Sequence, residues 1–176
     1  MATEIYLGNP PQHVIDWIKA HSKPTGNPKT KITFTDGSIE EYDWSGTINM
    51  PTMIEAGLFN PHEGVWNKEF QIIEIGTKVT SIDGGIAYCT GLTSVTIPDS
   101  VKSLREALFI GCGELASVTI GSGVTSIGTR VFESCTKLTS VTFSGKDKAT
   151  VQGMANYSWK LTSGCVLHCT DGDIKL

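Results

Sequence analysis

The sequence predicts an α/β repeat solenoid, that is, a short stack of coils with parallel strands, preceded by a small N-terminal α+β cap. The first observation is a period of 23 residues, at which one leucine recurs. The second is that the apolar residues of an SVTI-type segment keep this period, and the third is that phenylalanine and cysteine keep it too. The columns are Leu92, Leu115, Leu138 and Leu161; Val95, Val118 and Val141; Ile97, Ile120 and Phe143; Phe109 and Phe132; and Cys89, Cys112 and Cys135. Recurrence of the same apolar positions at a fixed period is typical of stacked coils rather than of a closed globular core.

The first 65 residues do not show the period. Residues 1–65 are therefore predicted to form a capping or attachment module, and residues 66–176 the solenoid with a decayed C-terminal cap. A solenoid needs such a module because the end of its stack is apolar. The module begins with a predicted helix over residues 8–23, which Asn9 can cap and whose prolines suit its first turn.

Two further elements are predicted within the module. Residues 31–44 alternate apolar and polar side chains around Asp36-Gly37, which is typical of a β-hairpin. A short helix is predicted between its cap, Asn49, and its stop, Gly57. A linker then leads into the solenoid.

The copies of the repeat begin at about Phe70 and share one internal order. An alternating strand is followed by a turn, a second short extended piece, and a helical or irregular turn that ends in cysteine. Three residues in the last copy break the pattern: Asp147, Ala155 and Ser158. Atypical terminal copies are expected because their outer side meets water. Residues 161–176 predict a strand, a turn at Asp171-Gly172 and a short return strand.

This pattern resembles the BspA-type, or Treponema-type, leucine-rich repeat of bacterial, phage and protozoan surface proteins, over roughly residues 70–169. The residues that carry the match in two successive copies are Leu92, Val95, Ile97, Pro98, Val101, Leu104, Phe109 and Cys112, and then Leu115, Val118, Ile120, Val124, Ile127, Phe132 and Cys135. The resemblance implies a curved stack with a parallel sheet and a role in binding proteins, matrix or host surfaces. It does not imply catalysis.

Composition and charge narrow the class of partner. Charged residues make up 18% of the chain and the formal net charge is −4, so no nucleic-acid partner is expected. No apolar run approaches the roughly 20 residues that span a bilayer, so no membrane insertion is expected. The start of the chain lacks the basic and apolar regions of a signal peptide. Location is left open between a cell surface or secreted place and a virion.

The cysteines that keep the period are predicted to form a ladder of buried, reduced thiols, because each ends a short apolar run. Disulfide bonds down the stack are the alternative, since neighbouring strands about 4.8 Å apart fall within bridging range.

No catalytic, metal or cofactor site is predicted. On one strand Cys165 and Cys169 would lie about 13 Å apart, too far for two ligands of one zinc ion. His168 would point to the opposite side of the strand from Cys169, which disfavours a Cys-His catalytic pair. The glycines of Gly121-Ser122-Gly123 fit no phosphate-binding motif and are predicted simply to replace the turn of the previous copy.

The remaining candidate for function is a surface. In each SVTI-type strand the two apolar side chains face the core, so the serine and threonine should face outward and align between coils. The candidate ligand surface is Ser94, Thr96, Ser117, Thr119, Ser140 and Thr142. These side chains could merely solvate the sheet, could bind a protein or glycan on a host or partner surface, or, as a third idea, could bind ice.

The sequence thus predicts a non-enzymatic binding or adhesion module without a cofactor. The alternative is a structural or receptor-binding component of a phage particle or other assembly, in which residues 1–65 mediate attachment. The oligomeric state is not predicted.

Overall fold

The computed structural model describes residues 29–60, 65–66, 69–154 and 159–176. The helix predicted at residues 8–23 lies outside them, as do Ala155 and Ser158. The described residues form a β-solenoid of about four turns, which confirms the predicted fold class.

Within the described ranges the strands are β1 Thr30–Phe34, β2 Ile39–Tyr42, β3 Gly46–Ile48, β4 Phe59–Asn60, β5 Val65–Trp66, β6 Phe70–Glu74, β7 Val79–Ile82, β8 Ser94–Ile97, β9 Ser103–Leu104, β10 Ser117–Ile120, β11 Ser126–Ile127, β12 Ser140–Phe143, β13 Val166–Cys169 and β14 Gly172–Lys175. The helices are α1 Met50–Glu55 and α2 Lys148–Met154.

The first sheet has eight strands in the order β14-β13-β12-β10-β8-β6-β1-β2. Its central strands, from β6 to β13, pair in parallel, and the 23-residue period is their register: Ser117 lies opposite both Ser94 and Ser140. Because every coil advances the chain by the same number of residues, like side chains come to lie side by side.

The second sheet has the order β11-β9-β7-β3, and turns form the third side of each coil. Leu92, Leu115 and Leu138 are at most 1% exposed in the core between these sides. The side chains of Phe109 and Phe132 stack at 5.9 Å between ring centroids in successive coils. The apolar columns are therefore the core of the solenoid.

Helix α1 is confirmed between Asn49 and Gly57. The Oδ1 atom of Asn49 accepts a hydrogen bond of 3.0 Å from the N–H of Thr52, which caps the first turn. At the other end Gly57 has φ +70°, and the N–H of Leu58 donates to the carbonyl oxygen of Met53. This is the Schellman arrangement that glycine permits, since side chains at this φ are strained.

The hairpin predicted at residues 31–44 is confirmed as β1 and β2. It does not stand apart from the repeats: β1 pairs antiparallel with β6, and β3 pairs in parallel with β7. Hydrogen bonds of both sheets thus cross from the non-repetitive residues into the first copy of the repeat.

The C-terminal end closes with a second hairpin. Strand β13 continues the parallel sheet, and β14 returns antiparallel to it. The two-residue loop is Thr170-Asp171, one residue earlier than predicted, because Gly172 already pairs with Cys169. Before it, where the repeat decays, Asp147 accepts a hydrogen bond of 2.8 Å from the N–H of Thr150 and caps α2.

Candidate functional site

Six hydroxyl side chains form a platform on the outer side of the first sheet. In β8, β10 and β12 the second and fourth residues are buried and the first and third are partly or fully exposed. Val95 and Ile97, for example, are each 1% exposed. The polar platform, as we call it, consists of Ser94, Thr96, Ser117, Thr119, Ser140 and Thr142.

The threonine column of the polar platform ends in charged residues. Thr96 lies opposite Glu74, whose carboxylate pairs with the Nζ atom of Lys31 at 3.3 Å. At the other end Thr142 lies opposite His168, whose Nδ1 atom is 2.9 Å from Oδ1 of Asp173. The polar platform is thus neutral across its three strands and bordered by ionisable groups.

The serine column ends differently. Ser94 lies opposite Ile72, and Ser140 lies opposite Val166. Beyond Ile72 the column continues through Thr33 to Ile39, which is 56% exposed. Apolar side chains therefore extend the hydroxyl surface along one column and charged side chains along the other.

Sequence reasoning missed a second serine column, on the second sheet. Ser103 and Ser126 are paired in register, and Ser81 holds the same place in β7, one residue before the buried Ile82. The signal was available, because a serine precedes the buried isoleucine or leucine at about the same period. The surface of this column is charged nearby, where Nε of Arg105 lies 2.9 Å from Oδ1 of Asp83.

The cysteine column is buried and reduced. All five cysteines are free thiols, and only Cys169 is not fully buried. Burial raises the pKa of the Cys135 thiol to about 12 and that of Cys165 to about 11. For Cys89, the hydrogen bond with Cys112 and then burial raise the pKa. These thiols are packed as small apolar groups and are poor nucleophiles.

The structure does not assemble Cys165, His168 and Cys169 into a metal site. Cys165 is fully buried, whereas His168 faces outward and contacts Asp173. Among the described residues there is no group of three or more histidine, cysteine, aspartate and glutamate side chains that could hold a metal ion. Nor do those residues include a helix with the length and apolar character needed to cross a bilayer.

The glycines of Gly121-Ser122-Gly123 serve close packing between coils. A Cβ atom at Gly123 would lie 1.8 Å from the carbonyl oxygen of Asp99, in the preceding coil. The N–H of Ser122 donates a hydrogen bond of 2.6 Å to Oδ1 of the same aspartate. The turn is thus fitted against the Pro98-Asp99 turn, as the repeat predicted.

Comparison with known proteins supports the repeat. The family model described as a BspA type leucine rich repeat region (6 copies) matches residues 64–164. Neither the curated proteins nor the solved structures contain a match to the chain. The matched residues include all of the polar platform.

Proposed function

This chain belongs to the BspA-type leucine-rich repeat family, and we propose that it is a non-enzymatic binding and adhesion module that uses the polar platform to contact a protein on a host or partner surface. Leucine-rich repeats are generally non-enzymatic scaffolds for protein–protein interaction. The further step, from scaffold to a particular face, rests on the side chains of the first sheet.

The observation that carries the proposal is the register of the hydroxyl groups. Ser117 and Thr119 lie on the central strand of the platform, each between like residues of both neighbouring strands. Each hydroxyl can donate and accept hydrogen bonds, and these short side chains lose little rotamer freedom when they are held. A rigid array of this kind is ready to bind without reorganisation.

The size of the polar platform favours a weak contact. Three strands of four residues cover roughly 14 Å by 13 Å, or about 200 Å². A stable protein–protein interface buries about 800 Å² on each partner. The platform alone is therefore suited to an adhesive contact that gains strength when many copies act together.

The experiment compares two serines that occupy matched places. Ser117 is the centre of the serine column on the first sheet, Ser103 is the centre of the column on the second, and both are partly exposed. Beads that carry the chain are tested on surfaces coated with purified matrix proteins. Ser117→Arg is expected to lower bead retention at least about tenfold, whereas Ser103→Arg leaves it unchanged. Equal retention for the two variants would overturn the assignment of the platform.

Glycan-coated surfaces in the same assay test the glycan alternative for the polar platform. Light scattering on the purified chain tests the assembly alternative, for which a stable trimer or higher ring would speak.

A further inference from the structure

One aromatic side chain is exposed where the repeat does not need it. Tyr88 is 64% exposed on the turn face, the third side of the solenoid formed by the turns that follow β7, β9 and β11. Its backbone has φ +58°. This conformation is uncommon for residues other than glycine and is strained for a bulky residue.

The conformation belongs to the repeat, but the tyrosine does not. The equivalent positions in the next coils are Gly111 and Ser134, with φ of +73° and +61°. Each of the first two donates its N–H to the following coil, Tyr88 to Ile110 at 2.7 Å and Gly111 to Glu133 at 2.9 Å. The column therefore asks for a small residue, and a large ring at its first position gives the fold nothing that glycine would not give.

The ring rests on bare backbone. A Cβ atom at Gly111 would lie 2.4 Å from Cδ1 of Tyr88 and 2.7 Å from its Cε1. The absence of a side chain at Gly111 makes the room that the ring occupies. The remaining surface of the ring faces solvent.

A fixed ion pair lies on the same face. Arg130, which also has a positive φ of +58°, pairs through Nε with the carboxylate of Glu133. Their side chains are 50% and 34% exposed, so both can reach a ligand. The hydrogen bond and the charge of Glu133 raise the pKa of the Arg130 guanidinium, and Glu106 and Tyr88 lie near enough to add to that shift.

We propose that Tyr88, Arg130 and Glu133 form a binding site for a neutral saccharide on the turn face. A sugar ring has an apolar C–H side, which stacks on an aromatic ring, and hydroxyl groups, which need both donors and acceptors. The guanidinium keeps donors beyond the one that it uses on Glu133, and the carboxylate keeps acceptor positions. Glu133 and Glu106 disfavour an anionic ligand, and Arg130 disfavours a cationic one.

This site is independent of the polar platform, which lies on another side of the solenoid. The test is electrophoresis of the native chain through gels that contain soluble neutral polysaccharides of glucose, mannose, galactose or N-acetylglucosamine. At least one of them is expected to retard the chain. Tyr88→Ala should weaken that retardation at least about tenfold, and Tyr88→Phe, which keeps the ring, should retain most of it.

Two controls separate recognition from folding. Ile39→Ala removes another exposed apolar side chain, on β2, and should leave the retardation unchanged. Tyr88→Gly removes the ring but suits the backbone, so it should abolish retardation without lowering the thermal midpoint of unfolding.

The proposal is overturned if none of the polysaccharides retards the chain, or if Tyr88→Ala is retarded as strongly as the unmodified chain. It is also overturned if Tyr88→Ala loses bead retention on matrix proteins while no polysaccharide acts, because the turn face would then be a protein contact. Ser117→Arg should not affect retardation, so loss of the saccharide site and loss of the polar platform can be told apart.

Discussion

The thiol of Cys112 donates a hydrogen bond of 3.1 Å to the carbonyl oxygen of Ile86, which lies 26 residues earlier in the preceding coil. Cys135 repeats the contact with Phe109, at the same distance and the same separation in sequence. Each thiol thus ties its own coil to a backbone acceptor of the coil before it. A reduced thiol at these positions satisfies a buried carbonyl group, which a disulfide would leave without this donor.

The first prediction concerns thiol reactivity. In the native chain under non-reducing conditions, a chromogenic thiol reagent should find at most one reactive group, Cys169, because the other four cysteines are buried. Unfolding in denaturant should release all five. Mass spectrometry that finds Cys89 bridged to Cys112 would show instead that the ladder is oxidised.

The second prediction is a loss of stability at alkaline pH. Burial raises the pKa of the Cys135 thiol from 9.0 to about 12. Below pH 9 the thiol is protonated in both the folded and the unfolded chain, and its ionisation does not affect stability. Between pH 9 and 12 it ionises only when the chain unfolds, so the free energy of unfolding should fall by about 1.4 kcal/mol per pH unit from this group.

Urea denaturation at pH 8, 9 and 10 measures that slope. Cys135→Ala is the control, since it lacks the thiol but keeps the lysines and tyrosines that also titrate in this range. A variant with the same pH slope as the unmodified chain would show that the thiol is not the cause.

The third prediction concerns the leucine column. Leu115 is completely buried between coils on both sides. Leu115→Ala should lower the free energy of unfolding by about 2–5 kcal/mol, the cost of a large cavity in a packed core. Leu161 holds the equivalent place at the C-terminal end but is only partly buried, so Leu161→Ala should cost clearly less. Chemical denaturation of both variants checks this, and a cost below about 1 kcal/mol for Leu115→Ala would mean that the register is wrong.

The parts of the fold that the sequence predicted are those that repeat. A residue such as Val118 shows its inward orientation through Val95 and Val141, because the same position recurs in each coil. The hairpin and α1 were predictable for another reason: Asn49 and Gly57 are local capping signals.

The contacts that the sequence did not predict join unlike segments. Nothing periodic links Lys31 to Glu74, yet they face each other where β1 pairs with β6. The same holds for the candidate sites. The position of Tyr88 follows from the period, but its exposure and its place over Gly111 depend on which side chains neighbouring coils bring together.

The fourth prediction is that two glycines of the repeat tolerate alanine very differently. At Gly123 the added methyl group would meet backbone, 1.8 Å from the carbonyl oxygen and 2.8 Å from the carbonyl carbon of Asp99. Backbone cannot rotate away as a side chain can, so the two coils must separate locally. We expect Gly123→Ala to lower the free energy of unfolding by about 3 kcal/mol or more, at the upper end of the cost of overpacking.

Gly113 supplies the matched control. Its added methyl group would have only the Oγ1 atom of Thr136 nearby, at 3.8 Å, which is ordinary contact. Its φ is not positive, so alanine should be neutral or should stabilise by about 0.4–1 kcal/mol through the unfolded chain. Urea denaturation followed by circular dichroism measures both variants. If Gly123→Ala cost no more than Gly113→Ala, the turn of one coil would not be held against Asp99 of the coil before it, and neighbouring coils would be free to shift in spacing.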